Sequence, residues 1–132
     1  MICTTIISKV GFECFPIGEG LLRIISPFTY GNDGEHVGAF IQQISDGSYK
    51  ISDQGDTLLN MEARGITLNQ RQLDILRSVL AHEGVELNER GEILKWAREE
   101  SELEQAISDI IRASILASNG KLSSKSAITM GN

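Results

Sequence analysis

Residues 48–58 read SYKISDQGDTL, and within them the chain changes from one periodicity to another. Tyr49 and Ile51 alternate with Lys50 and Ser52, the two-residue period of a strand with an apolar and a polar face. Asp53-Gln54-Gly55 then interrupts the alternation with residue types that favour turn conformations. Asp56 follows where a helix N-cap is expected, ahead of Leu58, Leu59 and Met61. Before this hinge the signals are those of strands; after it they are largely those of helices.

Working back from the hinge, Asp46-Gly47 predicts a tight turn, preceded by a strand from Val37 to Ile44. Val37, Ala39 and Ile41 share one face of that strand, while Phe40 and Ile44 lie nearer the other. The imperfect alternation predicts a bulge or a strand covered on both faces. Tyr30-Gly31-Asn32-Asp33-Gly34 reads as a loop, and Leu21-Leu22-Arg23-Ile24-Ile25 as a strand that ends near Ser26-Pro27. Three strands joined by two short turns predict an antiparallel meander. Nearer the N-terminus, Ile2, Ile6, Ile7 and Val10 have helical spacing, which predicts a helix within residues 2–12 that ends at Gly11. Phe12, Cys14, Phe15 and Ile17 then read as an extended connection or a short strand.

Working forward, Gly65 suits the end of a first helix, and Asn69 the cap of a second. That second helix carries an apolar stripe of Leu73, Leu76, Val79 and Leu80 and stops at Gly84. Residues 85–96 read as a hairpin turning at Glu89-Arg90-Gly91. Ser101 with Glu104 matches a capping box for a last helix, whose face is Leu103, Ala106, Ile107, Ile110, Ile111 and Ser114. The predicted order is α-β-β-β-α-α-β-β-α: a single α+β domain over residues 1–120, followed by a polar tail at 121–132.

A chain of 132 residues, 41% apolar and 23% charged, is long enough for one core and ordinary for a globular protein. Its net charge of −6 weighs against direct binding of nucleic acid, which would be repelled unless basic residues cluster. No run approaches the ~20 apolar residues of a membrane-spanning helix. The N-terminal residues lack a basic leader, so a reducing cytoplasm is expected, with Cys3 and Cys14 as two thiols. Without a CxxC pair, and with only two histidines, no structural zinc is expected.

Several of these pieces, in this order, resemble a prokaryotic family known only as domain of unknown function 1828, found in bacteria, prophages and mobile elements. They are Ser26-Pro27-Phe28, Asn32-Asp33-Gly34, Gly47 with Tyr49, the hinge Ser52-Asp53-Gln54-Gly55-Asp56-Thr57-Leu58, Gly65 with Leu68, Gly84-Val85, and Leu103 with Gln105-Ala106-Ile107. Together they span roughly residues 20–118, and Asp56 departs from the aromatic or polar residue common at its position. The resemblance implies the same fold order and an accessory role; it supplies no catalytic residues.

Three constellations bear on chemistry. Asp33, Asp53 and Asp56 lie at turns that an antiparallel pair would bring to one end, where carboxylates can share Mg²⁺ with water. Turn and cap chemistry explains the same residues without a metal. A nuclease-like core would want an acidic residue two before Lys50, where Ser48 stands. Cys3 and Cys14 sit among apolar neighbours and lack the basic surroundings of a nucleophilic thiol. The acidic run Glu86, Glu89, Glu92, Glu99 and Glu100, with Trp96 among it, is the strongest candidate. Repeated acids steer a basic partner, and a tryptophan can anchor the contact; a solvated face would look the same. The expectation is a non-enzymatic, cofactor-free module that binds a protein with a basic surface, an accessory or inhibitor of counter-defence type. The alternative is a metal-dependent hydrolase using Asp33, Asp53 and Asp56. Self-association through the apolar last helix also stays open.

Overall fold

A computed structural model describes residues 1, 3–7, 9–31 and 34–119. The chain runs through a single helical turn α1 (Cys3–Ile6) into strands β1 (Glu13–Gly18), β2 (Leu21–Thr29), β3 (His36–Gln43) and β4 (Tyr49–Ser52). Helices α2 (Asp56–Ala63) and α3 (Gln70–His82) follow, then strands β5 (Glu86–Leu87) and β6 (Ile93–Ala97). A short 3-10 turn at Glu100–Glu102 leads into α4 (Leu103–Ser118). The six strands form one sheet in the order β1-β2-β3-β4-β6-β5, with every neighbouring pair antiparallel. The protein is an α+β domain, as the residue patterns imply.

Two features differ from the expected order. Of the two readings of residues 12–17, an extended connection or a short strand, the strand holds: β1 is an edge strand, so the meander has four strands and not three. The expected N-terminal helix shrinks to one turn because β-branched residues lose side-chain freedom in a helix. That turn is tied down instead by a disulfide between Cys3 and Cys14, whose Cα atoms are 5.6 Å apart. The expectation of two thiols is therefore overturned: the turn and β1 bring distant sequence positions within bonding reach.

The sheet has one covered face and one open face. Ile24, Ala39, Ile41, Ile51 and Ile93 point to the covered side, where α4 lies across β3, β4 and β6. The predicted face of α4, from Leu103 through Ser114, is buried throughout. Its apolar arc is wide because α2 packs against it as well as the sheet. The alternate residues Phe15, Arg23, Phe40, Gln42, Lys50 and Trp96 follow one another across the opposite face. Arg23 places its guanidinium 5.8 Å from the centre of the Phe40 ring.

Between β2 and β3 the register shifts after Ile25, and Ser26 Oγ donates to the Val37 carbonyl at 2.6 Å. Gly38 is required there, since a Cβ would lie 2.5 Å from the Ile24 carbonyl oxygen. The candidate Asp33 and the tail at 121–132 lie outside the described residues.

Candidate functional site

The site is built around the hinge. Asp53 leaves β4 with its side chain pointing inward, 0% exposed. Its Oδ1 accepts the backbone N–H of Gly55 at 2.8 Å and of Ile93 at 2.9 Å, while Oδ2 accepts that of Thr57 at 3.0 Å. One carboxylate thus caps α2 and ties it to β6, forty residues along the chain. The capping role expected of Asp56 belongs to Asp53, because Gly55 occupies the N-cap in a left-handed conformation and offers no side chain. Burial pushes the Asp53 carboxyl up, opposed by those three N–H donors. Burial also raises Asp56, with the charges of Asp53 and Glu35 adding to it and Arg23 opposing. Tyr30, whose hydroxyl sits 3.0 Å from Thr57 Oγ1, is pushed up to about 12 by burial.

Of the metal candidates, Asp53 and Asp56 are therefore neighbours, but Asp53 has both oxygens engaged by the backbone. Among the described residues no group of three or more His, Cys, Asp or Glu side chains is placed to hold a metal ion.

The acidic run divides into parts with different roles. Glu92 is drawn inward, its carboxylate 2.8 Å from the Lys50 ammonium and 3.0 Å from Asn88 Nδ2. Burial alone would raise Glu92, but hydrogen bonds from Lys50, Ser52 and Asn88 and the Lys50 charge outweigh it and hold the carboxyl low. Glu86 and Glu89 stay exposed at one end of β6, and Glu99 and Glu100 at the other. Five strand residues separate the two groups, a span of about 13 Å or more. Glu100 lies 3.4 Å from the Met1 amine and receives the Tyr49 hydroxyl at 3.5 Å. Glu99 and Glu102 form a reciprocal capping box, the role expected of Ser101 and Glu104. Trp96 lies on the open face, between the two groups in sequence, and is 54% exposed.

Sequence reasoning did not find the groove next to the hinge. It has a volume of about 1110 Å³ and runs between α2, α3 and the β5–β6 turn. Leu58, Leu59, Leu73 and Leu87 line it, with Glu62 and Glu89 at its rim. Leu59 was the available signal: it sits beside Leu58 in a short helix whose other side already supplies Met61 to the core.

A family model, Domain of unknown function DUF1828, matches residues 26–116. The chain belongs to that family. No curated protein and no solved structure matches it. The DUF1828 span opens at Ser26, within β2, and closes at Leu116, within α4. It therefore contains the hinge, the groove and Trp96, and leaves β1 and the Cys3–Cys14 bridge outside. Among the described residues, no DUF1828 helix is long and apolar enough to cross a membrane.

Proposed function

We propose that this protein is a non-enzymatic binding module that engages a protein partner with a basic surface. The observation that carries this reading is Trp96, the sole tryptophan, exposed on the sheet face that no described helix covers, with exposed Glu86 and Glu89 before its strand and Glu99 and Glu100 after it. An aromatic anchor supplies contact area at little entropic cost, and the flanking carboxylates steer cations toward it. The occurrence in prophages and mobile elements that the family resemblance implies favours an accessory or inhibitor role of counter-defence type, exercised in the host cytoplasm. The competing metal-hydrolase reading would need a cation to reach a fully buried Asp53 whose two oxygens already accept three backbone hydrogen bonds.

The test is affinity capture from host lysate at low and high salt, with wild type, Trp96→Ala and a Glu99→Gln/Glu100→Gln variant. One partner lost at high salt and lost in both variants supports the reading. A partner retained by both variants, or none at either salt, sinks it.

A further inference from the structure

We infer that the groove between α2, α3 and the β5–β6 turn receives an amphipathic helix whose apolar face is flanked by lysine or arginine. This goes beyond the sheet-face reading, because the groove is a separate surface, and it names the kind of segment that surface accepts.

The groove offers side chains, not backbone. In its hairpin wall the N–H groups of Asn88, Arg90, Gly91 and Glu92 are all taken within the turn, two of them by Asn88 Oδ1. The Leu87 carbonyl accepts from Arg77 Nε at 3.0 Å, and the Gly55 N–H is held by Asp53. Edge strand β5 is only two residues long and its Leu87 carbonyl is already taken, so it offers an extended peptide little ladder to join. The far edge of the sheet offers little more, because Pro16 and a register shift interrupt β1 there. A helix brings its own backbone hydrogen bonds and needs only an apolar seat. Leu58, Leu59 and Leu73 provide that seat on two helices, with Leu87 at its base. Leu59 is 65% exposed and, beside Leu58 and Leu73, adds open apolar surface to that seat.

Charge selects the flank. Glu62, Glu86 and Glu89 are exposed carboxylates along the groove. Two arginines oppose them, but Arg77 is already bound to Asp74 at 3.0 Å and to the Leu87 carbonyl. Arg90 is left against three acids, so the rim favours cations.

The test uses the full chain, isotopically labelled, titrated with a synthetic Leu/Lys amphipathic helix of about 14 residues, long enough for roughly four turns. The expected result is saturable shifts at backbone amides of α2, α3 and residues 86–91. Affinity should fall about tenfold or more in Leu59→Asn, an exposed change that leaves the fold intact. Glu62→Gln with Glu89→Gln should weaken binding at low salt and flatten its salt dependence. The proposal is overturned if a scrambled peptide of the same composition binds equally, if a Leu/Glu helix binds equally, if the shifts centre on Trp96, or if nothing saturates by about 1 mM. Trp96→Ala and the Glu99/Glu100 variant should leave this titration unchanged, so the groove and the sheet-face reading can fail separately.

Discussion

The two faces of the sheet are made from the same strands, yet they meet different surroundings. On β3, Ile41 is sealed beneath α4, while its neighbour Phe40 faces out and holds Arg23 against its ring. On β6, Ile93 and Ala97 are core residues, and Trp96 between them is half in water. The covered face follows the ordinary demand to bury β-branched residues. The open face keeps three aromatics, Phe15, Phe40 and Trp96, without a described helix to cover them. Core burial and an exposed aromatic face are thereby carried by alternate residues of single strands, so each can change without the other.

The contrast can be broken most forcefully by truncating one residue from each face. Ile41→Ala should cost about 3 kcal/mol in urea unfolding followed by circular dichroism, through lost burial and a residual cavity. Trp96→Ala should cost less than about 1 kcal/mol by the same measurement. Equal costs would mean that the open face is packed after all.

Next in size is the staple that joins the two halves of the chain. Asp53→Ala leaves buried N–H groups of Thr57 and Ile93 without acceptors and should cost roughly 3 kcal/mol. Asp53→Asn retains one carbonyl oxygen and should recover about half of that. If Asn were as harmful as Ala, the ionised carboxylate itself, not its geometry, would be the essential feature.

The Cys3–Cys14 bridge comes next. A loop closed across 11 positions should contribute about 2 kcal/mol, lost in a Cys3→Ser/Cys14→Ser variant. Partner capture should survive, because the bridge lies outside the DUF1828 span. A free-thiol assay on protein purified without reductant would report whether the bond persists where the protein works.

The smallest effect depends on pH. Glu92 has a lowered carboxyl in the fold, so its contribution is full at neutral pH and is lost as pH falls below about 4. The stability difference between wild type and Glu92→Gln should shrink over that range. Asp53 has the opposite sign: its raised carboxyl contributes most at low pH, and the contribution fades as pH rises through the folded value. Parallel pH profiles for wild type and Glu92→Gln would show that the Lys50 pair carries no such linkage.

Most of the fold was legible because its boundaries are local events. Gly65 ends α2 in a left-handed conformation, with its N–H bonded to the Glu62 carbonyl and that of Ile66 to Met61. Asn69 and Gln72 cap α3 reciprocally, and Asp46 Oδ1 accepts the Ser48 N–H at 2.8 Å in the turn before β4. Each device involves residues only a few positions apart, so sequence order contains it.

What the sequence determined by itself was therefore the alternation of strands, the helix limits and the membership in a known family. The tertiary structure decided which residues meet across long separations. Asp53 reached Ile93 and became a staple; Lys50 reached Glu92 and removed it from the acidic surface; Cys3 reached Cys14 and lost its thiol. Local periodicity fixes which face a side chain takes, but not what stands opposite that face. The groove, the Asp53 staple and the exposure of Trp96 depend on the order in which strands pair, a property of the whole chain.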